Sequence, residues 1–255
     1  NHSAFVEKSL DSVVNQTYKN IQLIIIDDCS SDNSIDVIDT WISENNIGFF
    51  IKNKVNLGLN RSFNNAFKYV NGDYFIDLAS DDILLPESVE KQVSIFSKYT
   101  KDTIGIVYGN ALVNDEINNN SYVFFNKFSQ LKKTTKPKDG LIYKELISHK
   151  NTICSVSALN NTSVFKTLGG YDETLVYEDY DYWLRVSRKY PILYIDEILV
   201  NRIKLKNSLG NINYLRFNKK SFRFKHSNFQ TVKKTIKRNL SKEEDLVSNL
   251  ISLKY

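Results

Sequence analysis

Four apolar residues, Leu23 to Ile26, run straight into two aspartates, Asp27 and Asp28. A short Ile-rich run of this kind is the pattern of a strand buried on both faces of a parallel sheet. Its charged end lies where such sheets bind ligands, at the carboxyl ends of the strands. The surrounding chain alternates strand and helix. The spacing of Val6, Leu10, Val13 and Val14 predicts a helix over Val6 to Val14. A strand over Ile21 to Ile26 is followed by a helix over Ser34 to Ser43, with Ile35, Ile38, Trp41 and Ile42 on one side. Then come a strand at Phe49 to Lys52, a helix at Ser62 to Val70 and a strand at Asp73 to Leu78. Pro86 opens a further helix lined by Val89, Val93 and Phe96. A strand over Ile104 to Val113 completes this part. Such alternation with short loops means a doubly wound α/β sheet.

The rest is less regular. Asn114 to Lys138 has no clear period and reads as a loop or an irregular hairpin around Tyr122 to Phe125. Helices are expected over Asp139 to His149, over Ser163 to Leu168 with Gly169-Gly170 as its stop, and over Tyr177 to Tyr190. Strands are expected over Cys154 to Leu159 and Ile192 to Val200, and a helical tail from Asn211 onward.

Composition fits one domain with an appendage. The chain has 255 residues, 42% of them hydrophobic, which excludes disorder. No apolar run approaches the length of a membrane-spanning helix. Cys29 and Cys154 do not make a disulfide framework, so a reducing cytoplasm is the expected compartment. The net charge of +5 hides a split. Asn201 to Lys242 carries 13 Lys and Arg and no Asp or Glu, leaving 21 cations against 29 anions elsewhere. The sequence contains no Met and opens on a loop entering a helix, so a further buried strand is expected upstream of Asn1.

Three acidic pairs carry the chemistry. Asp81-Asp82 end a buried strand and suit a divalent cation, whose hard charge prefers oxygen ligands. They also suit a helix cap. Asp27-Asp28 repeat the arrangement one βα unit earlier, where a carboxylate can bind a base or ribose, or make an Asx turn with Asp32 or Ser34 capping the helix. Asn56-Leu57-Gly58 sits in the next loop, where glycine permits close backbone approach to a ligand or simply a turn. Glu178-Asp179 open a helix, where the dipole favours carboxylates, and could also supply a general base.

Taken in order, the motifs are more specific than any one of them. Ser12-Val13-Val14-Asn15-Gln16-Thr17-Tyr18 and Ile24-Ile25-Ile26-Asp27-Asp28-Cys29-Ser30-Ser31-Asp32 resemble the N-terminal signature of family 2 glycosyltransferases. Asn56-Leu57-Gly58, Gly72-Asp73-Tyr74, Ser80-Asp81-Asp82 with Pro86, Gly169 to Glu173 and Glu178-Asp179 follow in that family's order. The resemblance covers residues 1–208, leaving 209–255 as a basic helical extension. It implies an α/β fold of the GT-A (Rossmann-like) type, a mixed sheet flanked by helices. It also implies binding of a nucleotide-diphosphate sugar, UDP-linked, through Asp28, Asn56, Gly58, Asp81 and Glu178. Mn²⁺ or Mg²⁺ would sit on Asp81 and Asp82. Inverting transfer would go to a hydroxyl of a glycan or lipid-linked acceptor, with Asp179 as general base. Two positions depart from the family pattern. Ala79 stands where many members have a further Asp. Asn201-Arg202-Ile203-Lys204 replaces Tyr-Arg-x-His, leaving Lys204 to meet diphosphate charge.

Other features read more simply. His2, His149 and His226 show no metal spacing. Cys29 reads as a small buried thiol, and Trp41 and Trp183 as core residues. In the tail, Phe217, Phe222, Phe224 and Phe229 interleave with Arg216, Lys219, Lys220, Arg223 and Lys225. That suits a solvated face or the anionic inner face of the cell membrane; nucleic acid is not expected, because the body is acidic. The rival readings are an inactive sugar-nucleotide-binding module and a metal-dependent phosphoester hydrolase. A dehydrogenase is least favoured, because no G-x-G-x-x-G follows the first visible strand.

Overall fold

The computed structural model describes residues 1–126, 136–176, 178–206 and 219–252. The chain opens with helix α1 (Val6–Val14), whose Val6 and Leu10 pack with Ile25, Ile38 and Trp41 into one apolar cluster. Strand β1 (Ile24–Asp27) pairs in parallel with β2 (Phe49–Lys52), and helix α2 (Ser34–Asn45) makes the crossover between them. Helix α3 (Leu59–Phe67) follows, then β3 (Tyr74–Ile76), β4 (Ile83–Leu84) and helix α4 (Ser88–Phe96).

The main sheet is built from β3, β4, β5 (Ile106–Asp115), β6 (Asn120–Val123), β7 (Leu159–Asn161) and β8 (Ile192–Lys204). Its order is β3-β7-β5-β8-β4, with β6 also on β5. Within it β5 and β8 run parallel, whereas β7 is antiparallel to both β3 and β5, and β4 to β8. The sheet is therefore mixed, as the resemblance implied, rather than wholly parallel as alternation alone suggests. Helices α5 (Tyr143–Ile147), α6 (Thr162–Thr167) and α7 (Asp179–Ser187) pack around it, and α8 (Lys219–Ile236) and α9 (Lys242–Ser252) follow. The larger core cluster joins Ile106, Tyr108, Phe165, Leu184, Ile192 and Val200.

Gln16, 1% exposed, ties three elements together. Its amide nitrogen donates to the carbonyls of Ser12 (2.9 Å) and Leu85 (2.8 Å), and its oxygen accepts from the N–H of Val89 (3.2 Å). A buried amide fully used in this way ties α1 to the Asp81–Pro86 segment and α4.

Several expectations are corrected. Cys154 to Leu159 is not a strand: Ser155–Ser157 is a 3₁₀ turn, and β7 lies at Leu159–Asn161. Buried Asn160 and Asn161 give β7 a polar sequence. Asn160 is satisfied by the carbonyl of Ala158, and Asn161 caps α6 by accepting from Val164 N–H. α3 starts three residues before the expected Ser62, because Gly58, at φ +84°, turns the chain directly into it. Cys29 is exposed rather than buried, since its φ of +66° turns it out of the loop after β1. Trp41 and Trp183 are core residues as expected. The region around Tyr122 forms a β5–β6 hairpin; residues 127–135 of the expected irregular stretch, Tyr177 and the 208/209 boundary lie outside the described residues.

In the tail, Phe224 is buried, whereas Phe222 and Phe229 are exposed. Part of the tail's charge is spent on the acidic body. Lys234 pairs with Asp172, Arg238 with buried Asp181 at 3.1 Å, and Arg188 of the body clamps Glu244 of α9 at 3.0 and 2.9 Å. Among the described residues no helix is long and apolar enough to cross a membrane.

Candidate active site

The predicted carboxylates sit at the ends of elements: Asp28 after β1, Asp81 and Asp82 between β3 and β4, and Glu178 and Asp179 at the start of α7. Asp28 follows β1 and is fully engaged by its own surroundings. One oxygen accepts from Asn53 Nδ2 (2.9 Å), Leu57 N–H (2.8 Å) and Ser62 Oγ (2.7 Å); the other accepts from Gly58 N–H (2.8 Å). Burial works to raise this carboxyl, but these bonds outweigh it and hold Asp28 below its ordinary value. Asn56 donates its side-chain amide to the Asp28 carbonyl at 3.0 Å. Of the residues expected to bind the sugar nucleotide, Asp28, Asn56 and Gly58 thus organise a loop among themselves. A Cβ on Gly58 would meet nothing within 4 Å, so the loop presents bare backbone to open space. Asp27 and Asp32 make the expected turns: Asp27 accepts from Ser30 N–H (2.8 Å) and Asp32 from Ser34 N–H (3.1 Å).

Asp81 and Asp82 lie between β3 and β4. Pairing of Ile83 with Asn201 sets Asp82 opposite Arg202 on β8, and Asp82 accepts from Ile203 N–H at 3.3 Å. Asp82 is 2% exposed. Burial and the charge of Asp81 push its carboxyl up to about 7, against the pull of Arg202. Asp81 is more open, and its Oδ1 stands 3.8 Å from Nδ1 of His2. Among the described residues no three His, Cys, Asp or Glu side chains converge on one metal position. Two adjacent hard-oxygen carboxylates, one of them strained by burial, still fit a cation completed by substrate phosphates, which needs only one or two protein carboxylates.

Glu178 and Asp179 sit at the start of α7, where neither caps the helix through the usual N-terminal bond. Asp179 accepts from the N–H of Tyr180 at 2.6 Å, and burial holds its carboxyl above the ordinary value while Arg202 opposes. Oε2 of Glu178 is buried with no hydrogen-bond partner among the described residues. Burial, then the charges of Asp179 and Asp77, push Glu178 well up.

Asp77 is a member of this group that sequence reasoning missed. It directly follows the apolar β3 and accepts from the hydroxyl of buried Tyr171. Burial raises Asp77 from 3.8 to about 6, with Tyr171 opposing and Asp179 adding to the shift. The available signal was a lone carboxylate beside an apolar strand, four residues before Asp81. Arg202 was also passed over, yet its charge reaches Asp82, Asp179 and Cys154. Lys204, expected at the diphosphate, instead binds buried Asp115 at 2.9 Å and holds it at about 2. Cys154, also beside Asp82, is pushed up to about 11 by burial and is an inert thiol.

α3 positions the segment that leads to Glu178 and Asp179. Asn64 donates to the Tyr171 carbonyl (2.8 Å) and accepts from its N–H (3.1 Å). Asn60 donates to the carbonyl of Asp172 (2.7 Å). Gly169 and Gly170 take φ of +82° and +74°, and a Cβ on Gly170 would press on Asn64 at 3.0 Å.

Comparison with known proteins places this arrangement. Residues 1–168 match the family described as glycosyl transferase family 2. An uncharacterized glycosyltransferase of Rickettsia conorii is 32% identical over 202 residues, covering 78% of this chain but 32% of that protein. The chain thus spans about a third of the length of that relative. Among solved structures, a mannosyltransferase of Pyrobaculum calidifontis in complex with GDP-Man and Mn²⁺ superposes with a TM-score of 0.70 at 12% identity, over 99% of this chain and 66% of that one. TarS 1-349 of S. aureus in complex with UDP-GlcNAc gives 0.69 at 14%, over 96% of this chain and 67% of that one. The fold is that of GT-A glycosyltransferases.

The acid cluster has a consequence for stability. A carboxyl raised in the folded state binds its proton more tightly than in the unfolded chain, so stability falls as pH rises from about 4 to about 6. Replacing Asp77 by Asn should flatten that fall by up to about 1.4 kcal/mol per pH unit in urea titrations. An unchanged slope would place Asp77 in solvent rather than in the cluster. The matched sequence, the mixed sheet and the order of its carboxylates together make this chain a member of glycosyl transferase family 2.

Proposed function

We propose that this chain moves a sugar from a nucleotide-diphosphate sugar, UDP-linked, to a hydroxyl of a glycan or lipid-linked glycan, with inversion. The observation that supports it best is the position of Arg202, whose charge is felt by Asp82 on the donor side and Asp179 on the acceptor side. Arg202, set opposite Asp82 by the β4–β8 pairing, would serve both halves of a displacement. Donor binding falls to the loop that Asp28 organises, with the amides of Leu57 and Gly58 and the side chain of Asn56 beside it. Asp81 and Asp82 would hold Mn²⁺ or Mg²⁺, which when bound supplies positive charge to the departing nucleotide diphosphate. Asp179 takes the proton of the attacking hydroxyl. Its raised proton affinity suits that task, because a base works best with a pKa near the working pH. Glu178, whose Oε2 is buried with no partner among the described residues, would bind the sugar nucleotide. The two solved relatives bind GDP-Man and UDP-GlcNAc, which favours a sugar-nucleotide donor here.

Asp179→Asn should lose at least about 100-fold in transfer while retaining UDP affinity, as expected for loss of a general base. Full transfer by the variant would overturn the assignment. Binding of UDP without turnover of any donor by the unsubstituted chain would favour a sugar-nucleotide-binding module instead.

The same reading puts the protein at the cytoplasmic face of a membrane. Phe222 and Phe229 are seven residues apart on α8 and share an exposed face with Lys225 and Lys233. Co-sedimentation with phosphatidylserine vesicles at low salt, weakened by Phe222→Ser with Phe229→Ser, is expected. Absence of the protein from the vesicle pellet would remove the membrane contact.

A further inference from the structure

The ring of His2 has no role in the mechanism above, yet it stands beside Asp81. Its place is set by its backbone. The N–H of His2 donates to Ser34 Oγ at 3.1 Å, and its carbonyl accepts from the N–H groups of Phe5 (2.9 Å) and Val6 (3.0 Å), which begin α1. Its neighbours fasten the same segment to the loop after β1, through Asn1 to Ser31 and Ser3 to Asp32. None of these bonds uses the imidazole. The ring stands edge-on to Phe5 at 6.2 Å and meets the Asp81 loop instead. Nδ1 lies 2.8 Å from Ser80 Oγ and 3.8 Å from Asp81 Oδ1. The ring remains 36% exposed, so it can be reached from solvent.

The spacing is informative. Two ligands of one octahedral cation at about 2.1 Å stand between about 3.0 Å apart when adjacent and about 4.2 Å when opposite. The 3.8 Å between Nδ1 and Oδ1 matches neither value, and the half-exposed imidazole would move about 0.8 Å toward Asp81 to reach the adjacent one. At the end of β8, Lys204 is committed to Asp115. We propose that Nδ1 of His2 shares with Asp81 the divalent cation of the donor site, an inference that rests on the metal-dependent reading above. The cation takes the place of the Ser80 hydroxyl contact at Nδ1, and the donor's phosphates and water complete its shell. A nitrogen in the ligand set favours Mn²⁺ over Mg²⁺, which prefers oxygen throughout.

Pulsed electron paramagnetic resonance of Mn²⁺ on the full chain, alone and with UDP, tests this without a turnover assay. The expected spectrum shows nitrogen modulation that shifts when the protein is labelled with ¹⁵N-histidine and disappears in His2→Gln. His149→Gln and His226→Gln should leave it in place. The labelled unsubstituted protein keeps the test valid if His2→Gln fails to fold. Bound Mn²⁺ with no nitrogen modulation, or modulation that survives in folded His2→Gln, overturns the role of His2 and leaves the metal-dependent reading standing. Failure of the unsubstituted chain to bind Mn²⁺ at all, with or without UDP, overturns both.

Discussion

The short pairing of β4 with β8 decides where the charge of the cleft lies. Only Ile83 and Leu84 pair, with Asn201 and Val200, but their surroundings lock the register. Leu85 N–H and Ser88 Oγ both donate to the Leu199 carbonyl, at 2.9 and 2.5 Å. Gln16 holds the same segment from the side of α1. With this register Asp82 faces Arg202. A slip of one residue would turn the carboxylate to the opposite face and leave it buried without a cation. β8 in turn is fixed by its long parallel pairing with β5 from Ile106/Ile192 to Asp115/Lys204. The charged ends of that pairing close it with the Lys204–Asp115 ion pair.

α3 links the Asp28 loop to the segment that carries Glu178 and Asp179. Its first turn begins at Gly58, whose N–H is bound to Asp28. Farther along, Asn60 and Asn64 hold the Tyr171–Leu175 loop by its backbone. That loop carries Tyr171, whose hydroxyl reaches Asp77, and leads on to Glu178 and Asp179. One helix of nine residues therefore fixes the Asp28 loop and the segment before Asp179 in a common frame. Displacements here would be costly, since small misplacements of reacting groups lose large factors in rate.

Much of this was readable from pattern. The bounds of α1 and β2 follow from apolar spacing alone, and the ordered acidic pairs mark the strand ends that form the cleft. What escaped reading depends on contacts between distant residues. β7 is polar in sequence because Asn160 donates to the carbonyls of Ala158 and distant Phe75, and Asn161 caps α6. Asn60 and Asn64 look like ordinary helix-surface residues until the glycine loop is folded over them. Asp77 gains its character from burial, with Tyr171 and Asp179, about a hundred residues away, as its partners. The split between acidic body and basic tail was visible in composition, but Lys234–Asp172 and Arg238–Asp181 show how part of it is offset by docking. His2 looked scattered because its partners, Ser80 and Asp81, are supplied by another loop.

The central claim is that the Asp28 loop, Asp81-Asp82 and the end of β8 form one donor cleft around Arg202. Hydrogen exchange read by mass spectrometry, with and without UDP and Mn²⁺, tests it directly. Slowed exchange is predicted at Leu57-Gly58, at Ser80 to Ile83 and at Arg202-Ile203 together. Protection confined to one of these segments, or located elsewhere on the molecule, would contradict a single cleft.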